Sequence, residues 1–196
     1  MSPPEERQNE SVQDERSARI KRAALQVFAK HGLAGAKMSM IAAEAGVSQG
    51  LSYRYYSSKE ELFALLVEEA IEEAQAALRE VKHGPGTPFE QIRAMTIRML
   101  DDSHKHYFML MRQAQSSDDV PDKVKRLLQR YSPMDSIEHV VPVFVQGQQD
   151  GQFGQGDARE LLLFYFSVIS GLMLQDVPAS PSGWSRQADR LMKLLT

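Results

Sequence analysis

MSMIAAEAGVSQGLSYRYYSSKEEL, residues Met38 to Leu62, decides how the chain folds. Met38, Ile41, Ala42 and Ala45 are spaced i, i+3, i+4, i+7, which is one face of a short helix. Gly46 follows where a left-handed residue ends a helix without steric cost. Ser48 is placed to accept from the unpaired N–H groups of a second helix. Helix, glycine turn and helix in this order make a helix-turn-helix. The second helix, Gln49 to Tyr56, concentrates hydrogen-bond donors and planar rings and contains no acidic residue. A third helix opens at Ser58, with Glu61 three residues on as its capping-box partner. Lys59 stands in the first turn of that helix, where the dipole disfavours a cation and a bound phosphate would relieve the misfit.

Charge agrees once it is divided along the chain. The total is −3. From Arg16 to Lys59 there are eight basic residues and one acidic, Glu44, so this stretch carries +7 and the remainder −10. A basic module on an acidic body is the electrostatic footprint of a phosphate-binding surface. With 196 residues, 42% hydrophobic and 25% charged, the composition is that of a globular protein of one or two small domains. Absence of cysteine excludes disulfides and thiolate metal sites. The polar N-terminus has no secretory pattern. The longest apolar run, Leu161 to Phe166, falls far short of the roughly 20 residues of a membrane span. A soluble, cytoplasmic protein is expected.

The residues of the opening stretch resemble the DNA-binding signature of TetR-type (TetR/AcrR-like) transcriptional repressors. The resemblance begins with the helix from Arg19-Ile20 to Phe28-Ala29 and with Gly32. It continues through Ile41-Ala42, Ala45-Gly46-Val47-Ser48, Gly50, Tyr53, Tyr56 and Ser58-Lys59-Glu60-Glu61-Leu62, about the first third of the chain. Two positions depart from the family pattern. Lys37 stands where the family often has a capping Ser or Thr, and Ser52 where it has a larger apolar residue, so that the small core would repack around Leu51 and Tyr56. The resemblance implies a homodimer on a palindromic operator in double-stranded DNA, with Tyr53, Tyr55 and Lys59 on phosphate and Gln49 and Arg54 facing base edges. It further implies that a small-molecule effector in the second domain shifts the long helix and separates the two recognition helices. The DNA-contact candidates are Lys37, Ser48, Gln49, Gly50, Tyr53, Arg54, Tyr55 and Lys59. Gln can pair bidentately with adenine and Arg with guanine, and Gly50 would let the helix backbone approach the duplex closely. The same glycine can also be a merely tolerated one.

Working outward, residues 1–15 are polar and read as a disordered arm. Ile20, Ala23, Ala24, Val27 and Phe28 form a helical stripe that stops at Gly32. Ser58 to Lys82 reads as one long helix ended by His83-Gly84-Pro85-Gly86. Thr87-Pro88-Phe89-Glu90 opens another with a cap, a first-turn proline and a capping-box glutamate. His104 to Met111 reads as a short helix, Gln113 to Asp119 as a polar loop, and Asp122 to Tyr131 as a further helix. Pro142 should kink the helix that follows Ser132-Pro133. The glycine- and glutamine-rich segment Gln146 to Asp157 reads as a surface connection. Leu161 to Leu174 is apolar nearly all round and needs cover on two sides, its own domain and a second subunit. The expectation is an all-α chain of about nine helices: arm 1–15, helix-turn-helix domain 16–60, and effector-binding and dimerisation domain 61–196.

Within that second domain, the methionine- and aromatic-rich cluster points to an apolar ligand site at Met95, Met99, Tyr107, Phe108, Met111 and Phe144, although methionine at helical spacing equally fills a core. A dimer interface is expected at Phe164, Val168, Gly171, Leu172, Trp184, Leu191 and Leu195, the last two helices forming the family's four-helix bundle. His104 and His106, at i and i+2, lie on different faces of a helix, so no metal site is expected. Asp101-Asp102 near His104 lacks a nucleophile or phosphate loop, so neither catalysis nor a cofactor is expected. The competing reading keeps the DNA-binding module but has the second domain recognise a protein in place of a small molecule.

Overall fold

Apolar stripes spaced for helices leave each segment with one face to bury, and the chain satisfies all of them with helices. The computed structural model describes residues 4–175 and 183–196. Among these there are eleven α-helices, one 3-10 turn and no strand. In chain order they are α1 (Pro4–Gly35), α2 (Met38–Glu44), α3 (Gln49–Tyr55), α4 (Lys59–Arg79), the 3-10 turn Val81–His83, α5 (Pro88–Met99), α6 (Asp102–Ser116), α7 (Asp122–Arg130), α8 (Pro133–Ile137), α9 (Val141–Gln149), α10 (Ala158–Met173) and α11 (Gly183–Met192). No helix among the described residues is long and apolar enough to cross a membrane.

The chain divides into two compact units. The first comprises Met1–Glu69 and Leu110–Arg126. The second comprises Ala70–Met109 and Leu127–Thr196. A boundary after residue 60 therefore misses the buried residues Leu62, Phe63, Leu66 and Val67, and a contiguous module misses Leu110 to Arg126 altogether.

In the first unit, Ile20, Ala24 and Phe28 of α1 are fully buried, and Phe28 meets Phe63 of α4 edge to face at 5.1 Å. Such a pair adds about 0.5–1.5 kcal/mol beyond its burial. Met38, Ile41, Ala42 and Ala45 are all buried, as their spacing requires. The α1 helix extends back to Pro4 through the segment read as a disordered arm. No glycine or proline interrupts the run from Glu5 to Arg19. Gly32 bends the end of α1 with φ 68° and ψ 174°, a backbone that L side chains rarely adopt. The carbonyl of Ala29, three residues before that bend, accepts from Nε2 of Gln113 at 3.1 Å. Gln113 belongs to α6, which runs on to Ser116 through the stretch expected as a loop. Leu110 and Ala114 of the same helix are buried, with Val120 and Val124 beyond it. Ion pairs Lys21–Glu69 and Lys123–Glu68, each 2.6 Å, fasten both ends of the unit to α4.

The second unit closes around Ile92, Leu100, Val140, Phe144, Leu162, Tyr165 and Ile169. The capping box at the start of α5 is reciprocal. Glu90 N–H donates to Thr87 Oγ1 and Thr87 N–H to Glu90 Oε2, which holds the Glu90 carboxyl below its usual range. Pro142 starts a helix instead of kinking one: it sits in the first turn of α9, where its missing N–H costs nothing. The Gln146 to Asp157 segment lies mostly at the surface, as its polar composition suggests, but it plants one ring in the core. Phe153 is buried and stacks on Phe144 at 4.7 Å with 11° between the ring planes. Its ring fills the space over Gly147, where an added Cβ would lie 2.3 Å from Cδ2. Gln152 Oε1 accepts from Phe89 N–H and Gly154 N–H donates to Leu195 O, so the loop is tied at both ends.

Candidate nucleic-acid interface

The surface of the first unit is organised by α3. Ser48 caps it, its hydroxyl accepting from Leu51 N–H at 3.2 Å, and Gly46 makes the preceding turn at φ 62°. Only Ser52 of α3 is buried. Its hydroxyl donates to the carbonyl of Gln49 at 2.7 Å, which satisfies the polar atom that stands where a larger apolar side chain is usual. The space is taken up by Tyr56, buried, its hydroxyl 2.8 Å from Ser17 Oγ on α1. With the core served by Ser52 and Tyr56, the rest of α3 is left to solvent. Gln49, Gly50, Tyr53 and Arg54 are exposed, and Tyr55 is half-buried against Tyr56. Among the described residues no side-chain hydrogen bond or ion pair engages Gln49, Tyr53 or Arg54. Gly50 has open space over it: an added Cβ would meet nothing within 4 Å.

Beside α3 lies an open recess of about 400 Å³. Its walls are the start of α2 (Lys37, Met38, Ser39), the start of α4 (Ser57, Ser58, Lys59) and Gln49 and Tyr53 of α3. Lys37 occupies the capping position of α2, supplies no side-chain cap, and is exposed. At α4 the capping is shifted by one residue from the expected box. Ser58 Oγ accepts from Glu61 N–H at 3.0 Å, while the Glu61 carboxylate accepts from both N–H and Oγ of Ser57, which keeps its pKa low. The recess gathers the starts of α2 and α4 with Lys37 and Lys59, and the acidic Glu60 also lines it.

Lys59 of the same set is engaged within the unit. Its Nζ donates to the carbonyls of Leu33 at 2.9 Å, Ala36 at 3.0 Å and Ala34 at 3.4 Å. The misfit of a cation at the start of α4 is relieved by the carbonyl end of α1, with no external phosphate required. A second shallow groove, lined by Arg19, Arg22, Gln26, Glu44 and Gly46, runs along α1, where Arg19 donates to Gly46 O at 3.3 Å.

The residues expected around a ligand do not form one set. Met95 and Phe144 are buried in the core of the second unit, and Met99 and Phe108 pack half-buried against it. Tyr107 is half-buried in the second unit, whereas Met111 lies in the first. Two groups the sequence did not single out, Thr96 and Tyr165, form a fully buried polar pair with oxygens 2.7 Å apart. Burial pushes the Tyr165 phenol up to about 12 against the opposing pull of the Thr96 bond. Arg93 of α5 is bonded to Asp189 of α11 at 2.6 Å.

Residues expected at a dimer interface also separate. Phe164 and Leu172 are 59% and 40% exposed, Gly171 is exposed, and Val168 is half-buried. Leu191 and Leu195 point into the core of their own unit, with Trp184 packed partly against it, because the single-sided stripe of α11 is consumed internally.

Residues 20–66 match the family model described as bacterial regulatory proteins, tetR family. Over 51 residues the chain is 53% identical to the HTH-type transcriptional repressor SCO4008 of Streptomyces coelicolor. That match takes in 26% of this chain and spans about a quarter, 27%, of the repressor's length. Over nearly the full chain the fold is similar to that of the ketosteroid transcriptional regulator KstR2 of Mycobacterium tuberculosis, with a TM-score of 0.73, 20% identity, and 92% and 95% of the two chains covered. It is also similar to the fatty acid degradation regulator FadR from Bacillus halodurans, with a TM-score of 0.65, 20% identity, and 91% and 93% covered. Residues 20–66 are thus similar to the bacterial regulatory proteins of the tetR family, and the chain as a whole shares the fold of these regulators.

Proposed function

We propose that the protein is a homodimeric, ligand-responsive transcriptional repressor that binds a palindromic operator in double-stranded DNA and is released by a mainly apolar small molecule. The observation that carries this reading is α3, whose Gln49, Gly50, Tyr53 and Arg54 are turned to solvent, with no side-chain hydrogen bond or ion pair to them among the described residues. Gln49 and Arg54 read base edges in the major groove; Lys37, Tyr53 and Tyr55 meet phosphate and set the register. Two copies joined through the uncovered face of α10 place two such helices on successive half-sites. The 53% identity to a repressor over 51 residues supports the DNA-binding half. Two neighbours of the same fold are named for ketosteroid and fatty acid regulation, in keeping with an apolar effector here.

An effector must prefer the released conformation, since equal affinity for both shifts nothing. Met95 and Phe144 are closed into the core, so the ligand enters beside the half-buried Met99, Tyr107 and Phe108 and repacks them. That tight packing favours a second reading, in which the second unit binds a protein partner and no small molecule.

Selection from a random DNA pool tests the first half: a two-fold symmetric motif is expected, and an asymmetric or absent motif overturns it. Calorimetry with a ketosteroid and a long-chain fatty acid, with and without the selected duplex, tests the second. Saturating DNA should weaken the effector by the same factor by which the effector weakens DNA. Met99→Ala or Tyr107→Ala should weaken the effector and leave DNA binding intact.

A further inference from the structure

We propose that Lys59 is a positioning residue of the DNA-binding module, and that Lys37 alone of the two recess lysines gives its charge to the DNA phosphate; this rests on the DNA-binding reading above. An ammonium group has three N–H donors. Those of Lys59 face three main-chain carbonyls, Leu33, Ala34 and Ala36, at 2.9, 3.4 and 3.0 Å. The first two belong to the last turn of α1, which lacks helical donors and carries the negative end of the dipole. Glu60 Oε1, 3.9 Å away, adds a carboxylate to the same neighbourhood. Lys59 can reach a phosphate only by surrendering carbonyl bonds. Lys37 lines the same recess, is exposed, and has no partner for its ammonium among the described residues.

Placement makes the Lys59 cage matter for binding. Ala36 leads directly into Lys37 and α2, and Lys59 opens α4. The three bonds therefore hold together the two walls of the recess, one bearing Lys37 and Ser39, the other Ser57 and Ser58. Losing them lets the phosphate-facing groups drift apart without removing a counterion-releasing contact.

Arginine separates the two roles. A guanidinium binds phosphate at least as well as an ammonium, but its planar fork cannot aim three N–H groups from one nitrogen at three converging carbonyls. The full chain and its Lys37→Ala, Lys59→Ala and Lys59→Arg variants would be titrated against a fluorescein-labelled duplex of random sequence, between about 50 and 200 mM salt. Lys37→Ala should lower the slope of log affinity against log salt by about 0.9 for each subunit on the DNA, with its melting temperature unchanged. Both Lys59 variants should keep the wild-type slope while losing about tenfold or more in affinity at every salt concentration, the worth of a charge-assisted hydrogen bond. Their melting temperatures should fall by about 2–4 °C.

A Lys59→Ala slope that drops as Lys37→Ala does, or full recovery of affinity and melting temperature in Lys59→Arg, overturns the proposal. Should Lys59→Ala not fold, Lys59→Arg retains the charge and decides alone: a phosphate contact predicts wild-type behaviour, the cage predicts loss at an unchanged slope. A wild-type chain that ignores duplex DNA at low salt sinks the DNA-binding reading and the Lys37 assignment with it. The melting temperatures of the Lys59 variants then test the cage by themselves.

Discussion

The α3 and α10 helices each leave a face uncovered among the described residues, and the faces are chemically opposite. The α3 helix buries only Ser52 and offers solvent Gln49, Tyr53 and Arg54. The α10 helix buries Leu162, Tyr165, Ile169 and Met173 on one side and offers Leu163, Phe164 and Leu172 on the other. Each carries a glycine, Gly50 or Gly171, over which an added Cβ would meet nothing within 4 Å. Exposure alone would class the two together. The polar face loses little by remaining hydrated and suits a polyanion, whereas the apolar face gains by leaving water and suits a second apolar face.

The comparison breaks most visibly at Phe164. A buried Phe contributes roughly 1.5–3 kcal/mol, and two-fold symmetry counts the substitution twice, so Phe164→Glu should raise the dimer dissociation constant by about two to four orders of magnitude. Sedimentation equilibrium measures it; a wild-type chain that is monomeric at micromolar concentration removes the premise. Next in size is the glycine that contrasts with the other two. Gly147→Ala drives a methyl into the stacked Phe153 ring and should cost about 1–3 kcal/mol of folding stability, read from denaturant melts. An unchanged midpoint would mean that the ring yields freely.

Arg54→Ala should cost roughly 1–3 kcal/mol against the best operator and relax preference at one base position. Because the side chain is exposed and unpaired among the described residues, the melting temperature should stay put; uniform weakening on all sequences would reassign it to phosphate. The smallest effect is the sharpest for the comparison. Gly50→Ala should stabilise the fold by a few tenths to about 1 kcal/mol through helix propensity, yet weaken DNA binding by obstructing backbone approach. A variant both stabler and equally tight on DNA would leave Gly50 as no more than a tolerated helix glycine.

Local pattern was enough to read the helix-turn-helix, because each device in it acts within a few residues: the Met38 to Ala45 stripe, the left-handed Gly46, the Ser48 cap. Whatever depended on a distant partner was not legible. A one-sided stripe on α11 says that Leu191 and Leu195 are covered but not by what, and the cover is their own unit. Gly147 reads as a turn former in a glycine-rich run, although its reason is a ring six residues further on. Lys59 was singled out correctly as a cation in an unfavourable place, but its relief comes from carbonyls more than twenty residues upstream, which spacing within the motif could not disclose. Gln113 looked like loop because its polar amide is needed at the broken end of α1.

The broken end of α1 also sets a schedule for synthesis. The first unit is not finished when its helix-turn-helix has been made; it waits for Leu110–Arg126, with residues 70–109 threaded between. At the usual 5–20 residues per second, several seconds pass in which Ala29 O lacks its Gln113 partner and the surface destined to meet Leu110 and Val124 is bare. Contacts of such long sequence separation slow folding. A nascent chain stalled before residue 110 would therefore hold every residue of the recognition motif and still lack part of the core that supports it.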